Sequence, residues 1–222
     1  MKIYIFVILF VFNFSNTWGT NTPEGAKPGD WSSAAYFVWP IQKDAQYREI
    51  RIPSPDRTWS TVIRENSLTF VTSRSNVNPS PPVYLYGLAE VGWASDSSAL
   101  FLTRSDGGWV GSWFARVILV NAGKLREIDI TQEAAKDFHN HISKCAEEQP
   151  NMIALAWLDG SRKLLLVAES PNHSSCPDMG NIAGYIIEVP SGRILNTYDK
   201  KALKAKFGHF FGPRLKSKYR DD

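Results

Sequence analysis

The chain has 222 residues, of which 43% are hydrophobic and 13% aromatic, with 25 Lys and Arg against 22 Asp and Glu. Eight Trp, eight Tyr and twelve Phe suffice for a sizeable core, which excludes a disordered chain except at its ends. The net +3 comes from residues 200–222, where eight basic and two acidic residues give +6; the other 17 basic and 20 acidic residues leave the body at −3, without the broad basic face that nucleic acid requires.

In chain order, Lys2 precedes an apolar run, Ile3–Phe12, and then a polar stretch with Thr17 and Gly19 at the −3 and −1 positions of a cleavage point. Residues 1–19 therefore have the pattern of a secretory signal peptide, with an uncleaved anchor as the alternative. The run falls short of the ~20 apolar residues of a bilayer span, so no stable membrane span is expected after cleavage. The expected location is outside the cytoplasm, periplasmic or extracellular. Residues 20–33, rich in Pro, Gly and small polar side chains, are expected to form a flexible leader. Residues 34–211 are expected to form a single β domain, and residues 212–222 a basic C-terminal tail.

Strand-like runs rich in β-branched and aromatic residues follow one another: AAYFVW (34–39), YREIRI (47–52), TVIRE (61–65), LTFVTS (68–73), VYLYGL (83–88), ALFLT (99–103), ARVILV (115–120), LREIDI (125–130), IALAW (153–157), KLLLVAE (163–169) and GYIIEV (184–189). Short turns at 65–67, 121–123 and 190–192 mark hairpins. One helix is inserted near 131–149, with Thr131 as its N-cap and Ala134, Phe138, Ile142 and Cys145 on one apolar stripe. A second, short helix is expected at about 200–207. Its apolar residues, including Leu203 and Phe207, are expected to pack on the last sheet with the lysines solvated; adhesion to an anionic membrane or an acidic partner is the alternative.

Three segments repeat. PSPDRTW (53–59), WASDSSA (93–99) and WLDGSRK (157–163) each place an Asp in a turn of small residues, and in the last two a strand follows at once. Asp56 and Asp96 are 40 residues apart, a β-propeller blade period, and the longer gap to Asp159 contains the inserted helix. WASDSSALFLTRSDGG with ARVILV resembles the repeat of TolB-type, WD40-like β-propellers, whose blades carry a W-S-P-D-G turn before a strand; SPD at 54–56 and WLDG at 157–160 echo it. The resemblance covers three segments, about 130 residues in all. Ser97 and Arg57 stand where the family turn usually has Gly. The resemblance implies a mainly β fold of antiparallel four-stranded meander sheets, and no enzyme activity, since that fold hosts many functions. At about 40 residues per blade the length allows four or five blades at most, so an incomplete or open array is expected as readily as a closed ring.

Aligning the last two repeats sets the loop RSDGGWVGSWF (104–114) against SPNHSSCPDMGNIA (170–183). Both exceed ordinary hairpin connections, and long loops on a rigid β scaffold are usual binding sites. Stacked sheets would put Arg104, Asp106, Trp109 and Trp113 near His173, Cys176 and Asp178, as a surface for a protein or small ligand. Alternatively, Trp109 and Trp113 cover the sheet ends. In an exported chain the two cysteines suggest a Cys145–Cys176 disulfide, worth about 3–4 kcal/mol for a loop of about 30 residues. The sharper alternative is a zinc set of His141, Cys145, His173 and Cys176. Asn172-His173-Ser174 is an N-glycosylation sequon.

No nucleophile elbow, H-E-x-x-H or phosphate-binding glycine loop occurs. The leading expectation is an exported, non-catalytic, propeller-like binding protein without a cofactor. A periplasmic hydrolase or metal-dependent enzyme using His173, Asp178 and Asp106, and a structural envelope component using open sheet edges, are the alternatives.

Overall fold

The computed structural model describes residues 23, 26–38, 49–64, 66–72, 82–108, 111–121, 124–144, 148–172 and 177–219. The expected signal peptide lies outside them. The chain enters through two short strands, β1 (Lys27–Pro28) and β2 (Tyr36–Val38). A first meander follows: β3 (Ile50–Pro53), β4 (Trp59–Arg64), β5 (Ser67–Thr72) and β6 (Val83–Tyr84). The second contains β7 (Ala89–Trp93), β8 (Ala99–Ser105), β9 (Trp113–Asn121) and β10 (Lys124–Ile128). After the helix α1 (Gln132–His141) comes the third: β11 (Asn151–Trp157), β12 (Lys163–Glu169), β13 (Ile182–Glu188) and β14 (Ile194–Tyr198). The helices α2 (Lys200–Phe207) and α3 (Pro213–Ser217), with a tight helical turn at Gly208–Phe210 between them, end the described chain.

The protein is therefore mainly β, with antiparallel sheets and a few helices. The first and last sheets have four strands each in chain order; the middle sheet has six, because β2 pairs with β7 and β1 extends that edge. Among the described residues the sheets do not close on one another.

Side-chain alternation stacks the sheets face to face. Ile52, Trp59, Ile63, Leu68 and Phe70 of the first sheet meet Val91, Trp93, Leu100, Leu102 and Ile118 of the middle sheet. The opposite face of the middle sheet, with Phe101, Ala115 and Val117, meets Met152, Ala154, Leu164, Leu166 and Tyr185 of the last sheet, along with Ala134 and Phe138 of α1. The outer face of the last sheet, with Ile153, Leu155, Leu165 and Val167, is covered by Leu203, Phe207, Phe211 and Leu215 from the C-terminal segment and by Trp31. Each large apolar side chain buried this way contributes about 1.5–3 kcal/mol, so packing rather than strand pairing holds the sheets together.

Three expectations need correction. Residues 26–33 are no loose leader: Trp31 and Ser32 are fully buried, and the Gly29–Ser32 turn is tied into the fold. Residues 212–219 of the tail pack onto the fold, with Leu215 and Tyr219 buried. α1 spans ten residues rather than reaching residue 149; Thr131 is its N-cap residue, as expected, but makes no side-chain cap bond. Asp129 organises the entry instead, its Oδ1 accepting from Thr131 N at 2.9 Å and Thr131 Oγ1 at 2.7 Å. Three strands, β1, β7 and β14, form where no strand-like run stands out.

Candidate functional site

Each meander has two ends. At one, the three repeat segments form turns of equal length, for Pro53 pairs with Ser60, Trp93 with Leu100 and Trp157 with Leu164. Each is closed by the same backbone bond: Ser54 N to Trp59 O at 2.8 Å, Ala94 N to Ala99 O at 2.8 Å, and Leu158 N to Lys163 O at 3.0 Å. Arg57 and Ser97 carry φ of 60° and 62°, the left-handed conformation that explains the glycine usually found there. In the third turn Gly160 takes that role. The turns are hooked in series: Asp56 N donates to Ser97 Oγ at 3.0 Å, and Ser161 N donates to Asp96 Oδ2 at 2.8 Å. Asp56 accepts from local donors, the Ser54 hydroxyl and Thr58; Ser54 first, then Thr58 and Ser97 of the next turn, hold its carboxyl down to about 2. These aspartates build turns.

At the opposite end lie both long connections. Ser105 opens the first, residues 106–112, and Ser170 the second, residues 170–181. Their bases are adjacent. Trp113 N donates to Asn151 Oδ1 at 3.0 Å, and Asn151 Nδ2 donates to Glu169 Oε2 at 3.2 Å. Glu169 is buried and ion-paired with Lys218.

The candidate residues separate at this end. Arg104 leans toward the first sheet, donating from Nη1 to Tyr84 O at 3.1 Å. Asp106 accepts from Gly108 N at 2.8 Å and shapes its own loop. Gly107 has φ 75°, and a Cβ there would lie 2.5 Å from Tyr86 O, so the loop fits closely against residues 86–87. Trp113 is 2% exposed, its ring edge-on to Trp31 at 5.6 Å with the Arg214 guanidinium over both rings. It anchors the loop base and presents no surface to a ligand. Asp178 faces the end of α1, its Oδ2 accepting from Lys144 N at 2.8 Å and from Ser170 Oγ at 3.4 Å. No hydrogen bond joins Arg104 or Asp106 to Asp178. Trp109, Cys145, His173 and Cys176 lie outside the described residues. His141 has its Nδ1 2.9 Å from Asp137 Oδ1, whose other oxygen accepts from Tyr185 OH at 3.0 Å. Burial, and then Asp137, push the Tyr185 phenol upward. Among the described residues no three His, Cys, Asp or Glu side chains form a metal-binding group, and no helix is long and apolar enough to cross a membrane.

Other residues stand out by exposure. Among the described residues the exposed large apolar side chains are Tyr84 at 53%, Tyr86 at 74%, Phe114 at 37% and Met179 at 53%, all at the loop-bearing end. Phe114 pairs across the strands with Arg104. Tyr84, Tyr86, Arg104 and Phe114 thus form one neighbourhood beside the first loop, while Met179 sits on the second. The alternation in VYLYGL was the available signal: Leu85 is buried and its tyrosine neighbours point out.

Between the middle and last sheets Glu90 holds the N-terminal turn. Its Oε1 accepts from Asp30 N and Trp31 N, both at 2.7 Å, and its Oε2 from Ser32 N at 3.1 Å. Burial pushes its carboxyl up to about 7 against the pull of those three donors. Ser32 Oγ donates to the carbonyl of Leu155, the residue skipped in the β11–β12 register, at 2.5 Å.

No protein-family model, curated protein or solved structure matches this chain.

Proposed function

We propose that this chain is an exported, propeller-like binding protein, with an open rather than closed array of sheets, that engages a protein or small ligand at the loop-bearing end. The observation that carries the reading is the gathering of Tyr84, Tyr86, Phe114 and Met179 at that one end. Exposed apolar and aromatic side chains, interspersed with an Arg, are the chemistry of an interaction surface. The opposite end is built from small polar turns that satisfy their own hydrogen bonds. The hooked turns and the TolB-like motifs in the same positions support the propeller-like reading. No cofactor and no catalytic group is assigned: Asp106 and Asp178 are each engaged within or next to their own loop.

The test uses exposed residues, so that folding is spared. A pull-down from envelope and extracellular extracts with the parent protein should retain a partner that Tyr86→Ser/Phe114→Ser, at unchanged thermal midpoint, loses. Equal retention by both proteins would contradict the reading. The proposal includes a Cys145–Cys176 disulfide, supported by the Lys144–Asp178 hydrogen bond between the segments that carry the cysteines. Non-reducing peptide mapping should yield that cross-linked pair; free thiols at both positions would remove it.

A further inference from the structure

The C-terminal helices carry a second surface of different chemistry. α2 buries Leu203 and Phe207 and leaves Lys201, Lys204 and Lys206 exposed; α3 adds exposed Lys216. Neither helix contains an acidic residue, and Asp199 is occupied as the N-cap of α2, accepting from Ala202 N at 2.7 Å.

Among the described residues none of these four ammonium groups is ion-paired with a carboxylate. Lys204 Nζ instead donates to Tyr219 O at 3.2 Å and lies 5.4 Å above the Tyr219 ring. Lys206 Nζ donates to Tyr198 OH at 3.1 Å and lies 5.0 Å above that ring. Aromatic rings and neutral oxygens thus hold the Lys204 and Lys206 cations without neutralising them. Lys218 differs, being paired with buried Glu169. The chain also enters the fold here: Gly212 N donates to Trp31 O at 2.7 Å, and Arg214 N to Asp30 O at 2.9 Å.

We propose that the α2–α3 face binds an anionic lipid surface. Lysines are hydrated point charges on flexible stems, suited to many anions spread over a plane rather than to one carboxylate fork. Each Lys near such a surface is worth about fivefold in affinity. The proposal is independent of binding at the loop-bearing end, which lies on other residues.

The test is flotation of the full chain with vesicles of phosphatidylcholine alone or mixed with phosphatidylglycerol. Binding to the first measures whatever the apolar run Ile3–Phe12 contributes. The proposal expects additional binding to the anionic vesicles that high salt removes and that K201E/K206E/K216E lowers by about tenfold or more. The neutral variant K201Q/K206Q/K216Q, expected to lose less, serves if charge reversal disturbs folding. Equal binding to both vesicle types, unchanged anionic binding by the variants, or binding to polyglutamate without binding to vesicles would each overturn it.

Discussion

Glu90 is the residue on which the fold's pH dependence turns. Three backbone N–H groups converge on a carboxylate that burial holds near 7. A raised carboxyl contributes stability in full below its ordinary value near 4.5 and loses it as pH rises through 7. The thermal midpoint of the parent should therefore fall from pH 5 to 8 relative to Glu90→Gln, which has no carboxyl to titrate; parallel profiles would contradict this. Glu90→Ala leaves two buried donors and one part-buried donor unsatisfied and should cost about 3 kcal/mol or more in denaturant unfolding. Nothing in AEVGW marks this glutamate as buried, because its partners lie 58–60 residues earlier. The left-handed turn positions were more legible. Arg57→Gly should stabilise by up to about 1 kcal/mol, whereas Ser97→Gly forfeits the bond from Asp56 N and should gain less; equal gains would contradict the hook between turns.

At the scale of elements, hairpin turns and most strands were readable because alternation and turn chemistry are local. β12 coincides with KLLLVAE, and the strands that flank 121–123 and 190–192 pair as antiparallel neighbours. β7 was hidden by composition: Ala, Glu and Gly are weak strand formers, yet Gly92 is required where a Cβ would lie 2.4 Å from the Phe101 ring. β14 exposes Asn196 and Thr197, and its short mixed run gives little period to read. The buried turn at residues 29–33 is hard to read from sequence for a related reason. Pro, Gly and Ser signal irregular backbone, but they do not reveal that irregular backbone is buried. Residues 29–33 are clasped by residues 207–214, with Ser33 N donating to Phe210 O at 2.9 Å. Gly212 sits where a Cβ would be 2.3 Å from Asp30 O. Gly212→Ala should force this clasp apart and cost about 1–3 kcal/mol by thermal unfolding; an unchanged midpoint would show that the contact is slack.

For the whole molecule, stacked sheets with shared faces put every first turn at one end and both long connections at the other. The alignment of the last two repeats located those two loops, and the adjacency of Trp113, Asn151 and Glu169 sets their bases side by side. Of the two roles expected of Trp113, a ligand surface or a cover for the sheet end, it has the second. Trp113 belongs to the core, while Tyr84, Tyr86, Phe114 and Met179 are exposed, because the face a residue takes depends on strand register and on what covers the strand end. The first and last described segments flank the stack: the C-terminal helices and Trp31 cover the last sheet, and β2 covers the edge of β7.

The central claim is that a partner binds at the loop-bearing end. Hydrogen–deuterium exchange of the protein with and without its captured partner tests it most directly. The account predicts slowed exchange at residues 84–87, 106–114 and 177–181, with the turns at 54–59, 94–99 and 158–163 unchanged. Protection confined to those turns, with the loops exchanging as in the free protein, would contradict it.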